Sequence, residues 1–226
     1  MHVRPGILLT SLLVWAALAS AQQTHPTTAP ANDPSTPRGA LRTLSTAMRD
    51  GDAPTIKRMF YAPTPPERKM VACVADQAAA FAQLHQAAVK AYGDEEARKF
   101  TQDSDAAAAE AMARIESADI AINGDAGTII YKDQPQMPFL LKKVEGQWKF
   151  LTSSLGRPTD AADLDQQLAE LSLQAAIVRE IASDIQGGKF PTADKAAQTW
   201  HTRLLQAATS QPSSRPATAH TTGRAE

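Results

Sequence analysis

The sequence predicts an α+β protein in which N-terminal helices pack on a four-stranded antiparallel meander that is followed by a C-terminal helical hairpin. Three observations lead to this fold class. Apolar residues recur every three or four positions up to residue 117, alternate with polar residues between 118 and 151, and return to spacings of four and three after 159. The first and third patterns are typical of amphipathic helices, and the second is typical of strands with one covered face.

The first 21 residues have the three-part pattern of a secretory signal peptide. Arg4 precedes an apolar run of about 13 residues, shorter than the roughly 20 that span a bilayer, and the small residues Ala19-Ser20-Ala21 follow it. We therefore expect cleavage before Gln22, no stable membrane span afterwards, and a periplasmic or secreted bacterial protein. A first helix that anchors the chain in the membrane is the alternative.

Residues 22–35 and 209–226 are rich in Pro, Thr and Ala and lack periodicity, which predicts a disordered linker and a disordered tail. The remaining chain is predicted to form an α+β domain at 36–158 and a helical hairpin at 159–208.

The N-terminal helices carry recognisable start and stop signals. Thr36-Pro37 caps a first helix that stops at Gly51, and a second short helix is predicted to include Phe60. The next helix begins with a capping box at Thr64-Pro65-Pro66-Glu67 and ends at Gly93. A further Ala-rich helix leads to the strands.

The predicted strands are short, and turn residues join them. Asn123-Gly124-Asp125 separates the first two strands, and Glu145-Gly146 separates the last two. The four strands are predicted at 119–122, 128–131, 139–141 and 148–151.

The C-terminal hairpin begins with a long helix that opens at Thr159-Asp160 and ends at Gly187-Gly188. Its apolar residues form a seam of coiled-coil type, made of Leu164, Leu168, Leu171, Ala175, Val178, Ala182 and Ile185. Thr192 caps a last helix. We expect the seam to be buried against the rest of the molecule or against a second chain.

Two sequence segments resemble the nuclear transport factor 2-like superfamily, the cone-shaped α+β domains that include SnoaL-like proteins. They are the Ala-Met-Arg-Asp-Gly-Asp run at 47–52 and the Val-Glu-Gly-Gln-Trp-Lys turn at 144–149. The resemblance implies a cone with a pocket. Catalytic members of the family use an interior Asp, His or Tyr, but no motif here assigns that role to a residue by its position.

Composition excludes some classes of partner and site. The chain has 23 Lys+Arg against 24 Asp+Glu, so it has no basic field to hold a nucleic acid. Its single cysteine, Cys73, excludes an internal disulfide and is interpreted as a small core residue. Cys73 and His85 lie about 18 Å apart on one helix, too far for a catalytic dyad.

The sequence predicts no catalytic residue, no metal site and no cofactor. It contains no paired histidine spacing and no phosphate-binding glycine loop, and only His85 and His201 belong to the folded part.

Tyr131, Trp148 and Phe150 are the candidate ligand-binding residues. Trp148 and Phe150 alternate on one strand and therefore share a sheet face. Tyr131 is placed with them around a sheet concavity. Core packing is the competing interpretation of all three side chains.

The sequence favours an exported, non-catalytic binding or structural module whose partner is a small apolar ligand or a protein, with a homodimer as one arrangement. One alternative is a small isomerase-like or cyclase-like enzyme that acts on an apolar substrate through Asp119, Asp133 or Tyr131. The other is a helical scaffold that self-associates through the seam. A pocket with a buried carboxylate favours the enzyme, whereas a sheet face filled by Trp148 and Phe150 favours binding or structure.

Overall fold

The protein is an α+β structure with seven helices and a five-stranded mixed sheet in residues 32–101, 105–155 and 161–210, the ranges that this computed structural model describes. The helices are α1 (Pro37–Asp50), α2 (Ala53–Met59), α3 (Pro65–Tyr92), α4 (Asp94–Thr101), α5 (Asp105–Ser117), α6 (Ala161–Gln186) and α7 (Ala193–Ser210). The strands are β1 (Phe60–Tyr61), β2 (Asp119–Asn123), β3 (Ala126–Ile130), β4 (Phe139–Val144) and β5 (Gln147–Leu151).

Several predicted features lie outside the described ranges. They are the signal peptide at 1–21, residues 22–31 of the linker, the start of the long helix at Thr159-Asp160, and residues 211–226 of the tail. Within the described ranges, no helix is both long enough and apolar enough to cross a membrane.

The sheet has five strands rather than the predicted four, and it is mixed rather than antiparallel. Its order is β1-β5-β4-β3-β2, and β1 runs parallel to β5 with Phe60 beside Phe150. The prediction that the second helix includes Phe60 is therefore wrong. Ala62-Pro63 follows this strand, and a residue before proline disfavours helical backbone, so the chain leaves the helix and pairs with the edge of β5.

The other four strands form the predicted meander. Gly124-Asp125 joins β2 to β3, with Asn123 opposite Ala126, and Glu145-Gly146 joins β4 to β5. Both residues of the second turn have positive φ, as a tight hairpin with matched strand twist requires.

α1 and α2 form a tight pair that covers one face of the sheet. The Thr36 side chain accepts from the Gly39 N–H at 3.0 Å, and α1 ends at Gly51 with φ 67. A Cβ at Gly51 would lie 2.7 Å from the Cβ of Ala82 on α3, so glycine also permits close helix contact.

α3 and α6 pack along each other and run in the same direction. The Cys73 thiol lies 3.7 Å from the Ser172 hydroxyl, and the Gln77 amide donates to Gln174 at 2.8 Å. Farther along, the Tyr92 hydroxyl donates to the Phe190 carbonyl at 3.1 Å. Residue numbers rise together along both helices, so the two axes are parallel.

Three buried clusters organise the interior. The first joins the sheet to α1, α2, the start of α3 and the end of α5. The second joins the later parts of α3 and α6 to α4 and α7, and a small third cluster of Met70, Val74 and Leu171 lies between α3 and α6. The C-terminal hairpin therefore packs on α3 of the same chain, and α3 contributes to both large clusters.

A buried carboxylate holds the α6–α7 hairpin closed. Asp184 on α6 accepts from the Lys189 amine at 2.6 Å and from the Arg203 guanidinium on α7 at 3.1 Å. Its partnership with Lys189 is the main cause that lowers the pKa of Asp184 below its ordinary value.

Candidate functional site

The helix-facing side of the sheet is filled by side chains. Trp148 is 3 % exposed and Phe150 is fully buried, and both belong to the first cluster with residues from α1 and α2. They share one face, as their alternation predicts, but their rings contact the core. The structure therefore places these two candidate ligand-binding residues in packed positions.

Trp148 packs directly against the backbone of β3. A Cβ built at Gly127 would lie 2.9 Å from Cζ3 of the indole, so the ring occupies the space that a side chain would need. This contact leaves no gap between the indole and the sheet.

Tyr131 lies at the end of β3 and reaches Phe150 through another ring. The Tyr131 and Phe139 rings meet edge-on with centroids 5.5 Å apart, and Phe139 and Phe150 meet edge-on at 6.0 Å. Phe60 continues the row at 6.0 Å from Phe150. Phe60 and Phe139 were not among the predicted site residues. Phe139 lies in a predicted strand and could have been found there, whereas the two-residue strand of Phe60 carries no sequence signal.

A polar cluster surrounds Tyr131. The Arg114 guanidinium from α5 lies 5.0 Å from the centroid of the Tyr131 ring and forms an ion pair with Asp133 at 2.8 Å. Burial raises the pKa of Tyr131 to about 12, with a smaller opposing effect of Arg114. Tyr131 therefore keeps its proton at neutral pH, where it can donate a hydrogen bond but cannot act as a base.

The candidate acids of the enzyme hypothesis do not form one site. Asp133 lies beside Tyr131, but its side chain is more than half exposed and paired with Arg114. Asp119 begins β2 at the sheet edge, where it is exposed and lies opposite Ile130. The structure thus brings Tyr131 and Asp133 together and leaves Asp119 at the sheet edge.

The two histidines of the fold lie on different helices. His85 is half-buried on α3, whereas His201 is exposed on α7 beside the Trp200 ring. In the described part of the chain, no three His, Cys, Asp or Glu side chains cluster as metal ligands.

The second face of the sheet presents a different surface. We call it the open face, because its residues belong to none of the three buried clusters and are half-buried or exposed. Its residues include Tyr61, Ala121, Thr128, Ile130, Leu140, Lys142, Val144, Lys149 and Leu151.

Two lysines stand side by side on the open face. Lys142 and Lys149 are direct cross-strand partners, and the Lys142 amine lies 4.6 Å from the centroid of the Tyr61 ring. Among the described residues, neither amine has a carboxylate partner. The sequence did not predict this pair, because Lys142 lies beyond the strand predicted at 139–141.

Comparison of the chain with protein-family models, with curated proteins and with solved structures finds no match. Function is therefore inferred from the geometry of these surfaces.

Proposed function

We propose that this chain is an exported, non-catalytic binding module of the cone type found in the nuclear transport factor 2-like superfamily, and that its open face binds a protein partner. The observation that carries the proposal is the filled helix-facing side of the sheet. Because Trp148 and Phe150 occupy the space where a cone would hold a substrate, contact with a partner falls to the other face. The signal-like segment that ends at Ala19-Ser20-Ala21 supports export.

The open face favours a partner segment that carries carboxylates between apolar side chains. Like charges directly opposite on neighbouring strands are unfavourable, so carboxylates placed against Lys142 and Lys149 would relieve a local cost. Half-buried Leu140, Leu151 and Ile130 supply apolar contact around them. The chain carries a formal net charge of −1, which favours a short acidic segment over a polyanion such as nucleic acid.

A titration of the ¹⁵N-labelled protein with a peptide of alternating Glu and Leu residues tests this surface. We expect saturable amide shifts confined to β1, β3, β4 and β5. The double substitution Lys142→Gln/Lys149→Gln should lower the affinity for the peptide by at least about tenfold, which corresponds to about 1.4 kcal/mol of binding free energy.

Lys69→Gln/Lys195→Gln removes the same charge from exposed positions on α3 and α7 and is the matched control. It should leave the affinity for the peptide within about twofold of the wild-type value, because substitutions at exposed positions usually change free energies by less than about 0.5 kcal/mol. Equal weakening in both double variants would show a non-specific charge effect and would contradict the proposal.

The enzyme alternative requires space for an apolar substrate near Tyr131. Benzene is a suitable probe, because apolar cavities in protein cores bind it. We expect no saturable shifts for the amides around Trp148, Phe150 and Tyr131. Saturable benzene binding at these residues would favour the isomerase-like alternative instead.

A further inference from the structure

β2 forms an exposed edge of the sheet. Within the described ranges, its five residues pair with β3 alone, and all of them are exposed except Ile120, which is half-buried. Ile122 is 57 % exposed, so a large apolar side chain faces solvent on this strand. Exposed apolar edge strands are ready partners for other strands.

The opposite edge of the sheet is protected. β1 has only two residues and is followed by Pro63, and the Pro34 carbonyl accepts from the Trp148 N–H at 2.8 Å on the same side of β5. A short edge strand, prolines and a covering segment are the usual means of blocking strand addition. β2 has no proline, and Asp119 is its one charged residue.

The free backbone groups of β2 belong to its two isoleucines. Gly124-Asp125 forms a two-residue turn, so the flanking pair Asn123 and Ala126 is hydrogen-bonded, and bonded pairs then alternate along the ladder. Ile120 and Ile122 therefore direct their N–H and C=O groups away from β3. Among the described residues, none bonds to these groups.

We propose that a second copy of this chain pairs with β2 through its own β2, antiparallel and around a two-fold axis at Ala121. In this register Ile120 of each copy exchanges both main-chain hydrogen bonds with Ile122 of the other. The exposed Ile122 side chain then packs beside Ile120 on the helix-facing side. The two Ala121 residues meet on the open face without a steric conflict.

The polar ends of the strand complement each other in the same register. Asp119 of one copy lies opposite Asn123 of the other, so a carboxylate faces an amide donor and no like charges meet. This register uses all five residues of β2, whereas a shift of the axis to Ile122 would place Ile120 opposite Gly124 and leave Asp119 without a partner in the strand.

The interface is short, so we expect a dimer that dissociates on dilution. Sedimentation velocity over a range of concentrations measures it. Ile122→Lys places a charge on the edge and should weaken dimerisation by at least about tenfold. Met137→Lys, at another exposed apolar position in the β3–β4 loop, is the matched control and should not change it.

A charge exchange tests the register. Asn123→Asp places a second carboxylate opposite Asp119 of the other copy and should weaken the dimer by about three- to tenfold. Asp119→Lys/Asn123→Asp restores an opposite-charge pair and should recover the wild-type dissociation constant to within about twofold. Far-UV circular dichroism and tryptophan emission confirm that each variant is folded.

Three results would overturn the inference. They are a monomer at the highest attainable concentration, a dimer that Ile122→Lys leaves unchanged, and a double variant that is no tighter than Asn123→Asp. The first two reject β2 as the interface, and the third rejects the proposed register. None of these measurements uses the peptide or the lysine variants that test the open face.

Discussion

Gly127 has a role that depends on one neighbouring side chain. Because its added Cβ would meet the buried Trp148 indole, Gly127→Ala should reduce the free energy of unfolding by about 1–3 kcal/mol, as overpacking does. Urea unfolding measures the change.

Gly187→Ala is the matched control for Gly127→Ala. A Cβ at Gly187 would meet only the Ser183 carbonyl at 3.4 Å and the Asp184 carbonyl at 3.8 Å. It should be neutral or stabilising by up to about 1 kcal/mol. Equal losses in both variants would show that the Trp148 contact is not the cause.

Tyr131 should make stability depend on alkaline pH. The pKa of Tyr131 in the folded protein is about 12, above the ordinary value of 10.0. The stability that its protonated hydroxyl contributes is therefore fully present below pH 10 and is lost as the pH rises towards 12. Absorbance at 295 nm should detect one tyrosine that titrates near pH 12.

Tyr131→Phe assigns that titration and is expected to remove it. The variant should also lose less stability than the wild type between pH 10 and pH 12, because phenylalanine has no proton to release. Persistence of the pH 12 titration in this variant would assign the high pKa to another tyrosine.

At the residue scale, alternation was enough to predict that Trp148 and Phe150 share a face. It could not predict what fills that face, because the covering side chains come from α1 and α2, which are distant in sequence. The same alternation places Lys149 outward, whereas Lys142 lies beyond the strand predicted at 139–141. Their direct contact depends on the register of β4 and β5, which the turn at Glu145-Gly146 fixes.

Among the elements, α6 offers a direct test of the α3–α6 interface. Leu171 is 2 % exposed beside Met70 and Val74, so Leu171→Ala should cost about 2–5 kcal/mol in unfolding free energy. Leu173 on the same helix is 38 % exposed, and Leu173→Ala should cost less than about 0.5 kcal/mol. Chemical unfolding of both variants compares them, and a loss at Leu173 equal to that at Leu171 would contradict this interface.

Helices with caps were predictable from sequence, and β1 was not. The Thr64 N–H donates to Glu67 at 2.9 Å and the Glu67 N–H donates to Thr64 at 3.4 Å, which is the capping box expected at the start of α3. A strand of two residues has no alternation to detect, and β1 exists only because β5 offers it an edge. Local pattern therefore predicts long elements and misses those that tertiary contact creates.

For the whole molecule, the sequence predicted an α+β domain followed by a helical hairpin and left open whether the hairpin packs on the same chain or on a second one. In the structure, α3 contributes to both large clusters and joins the hairpin to the sheet. Nothing local to α3 reveals this, because its partner α6 lies beyond the sheet in sequence. The predicted seam is buried from Leu171 to Ile185, whereas Leu164 and Leu168 at its start are half-buried. Only the structure identifies α3 as its partner.

Trp148 and Trp200 allow the two large clusters to be followed separately. Trp148 belongs to the first cluster, and Trp200 packs against the second. In a Trp15→Phe background, Trp148→Phe leaves Trp200 as the fluorescent reporter of the second cluster. Trp200→Phe leaves Trp148 as the reporter of the first cluster. Because α3 and the third cluster connect both regions, we expect the two fluorescence transitions to share one urea midpoint. Separate midpoints would show that the clusters unfold independently.

The parallel pairing of α3 and α6 has a consequence for folding kinetics. Contacts across this pair join residues 97 to 103 positions apart in sequence. Such contacts close a long loop, which costs chain entropy before any burial compensates for it. Folding rates fall as the average sequence separation of contacts rises. Although most of its secondary structure is helical, this protein should therefore fold more slowly than a bundle of sequential helices.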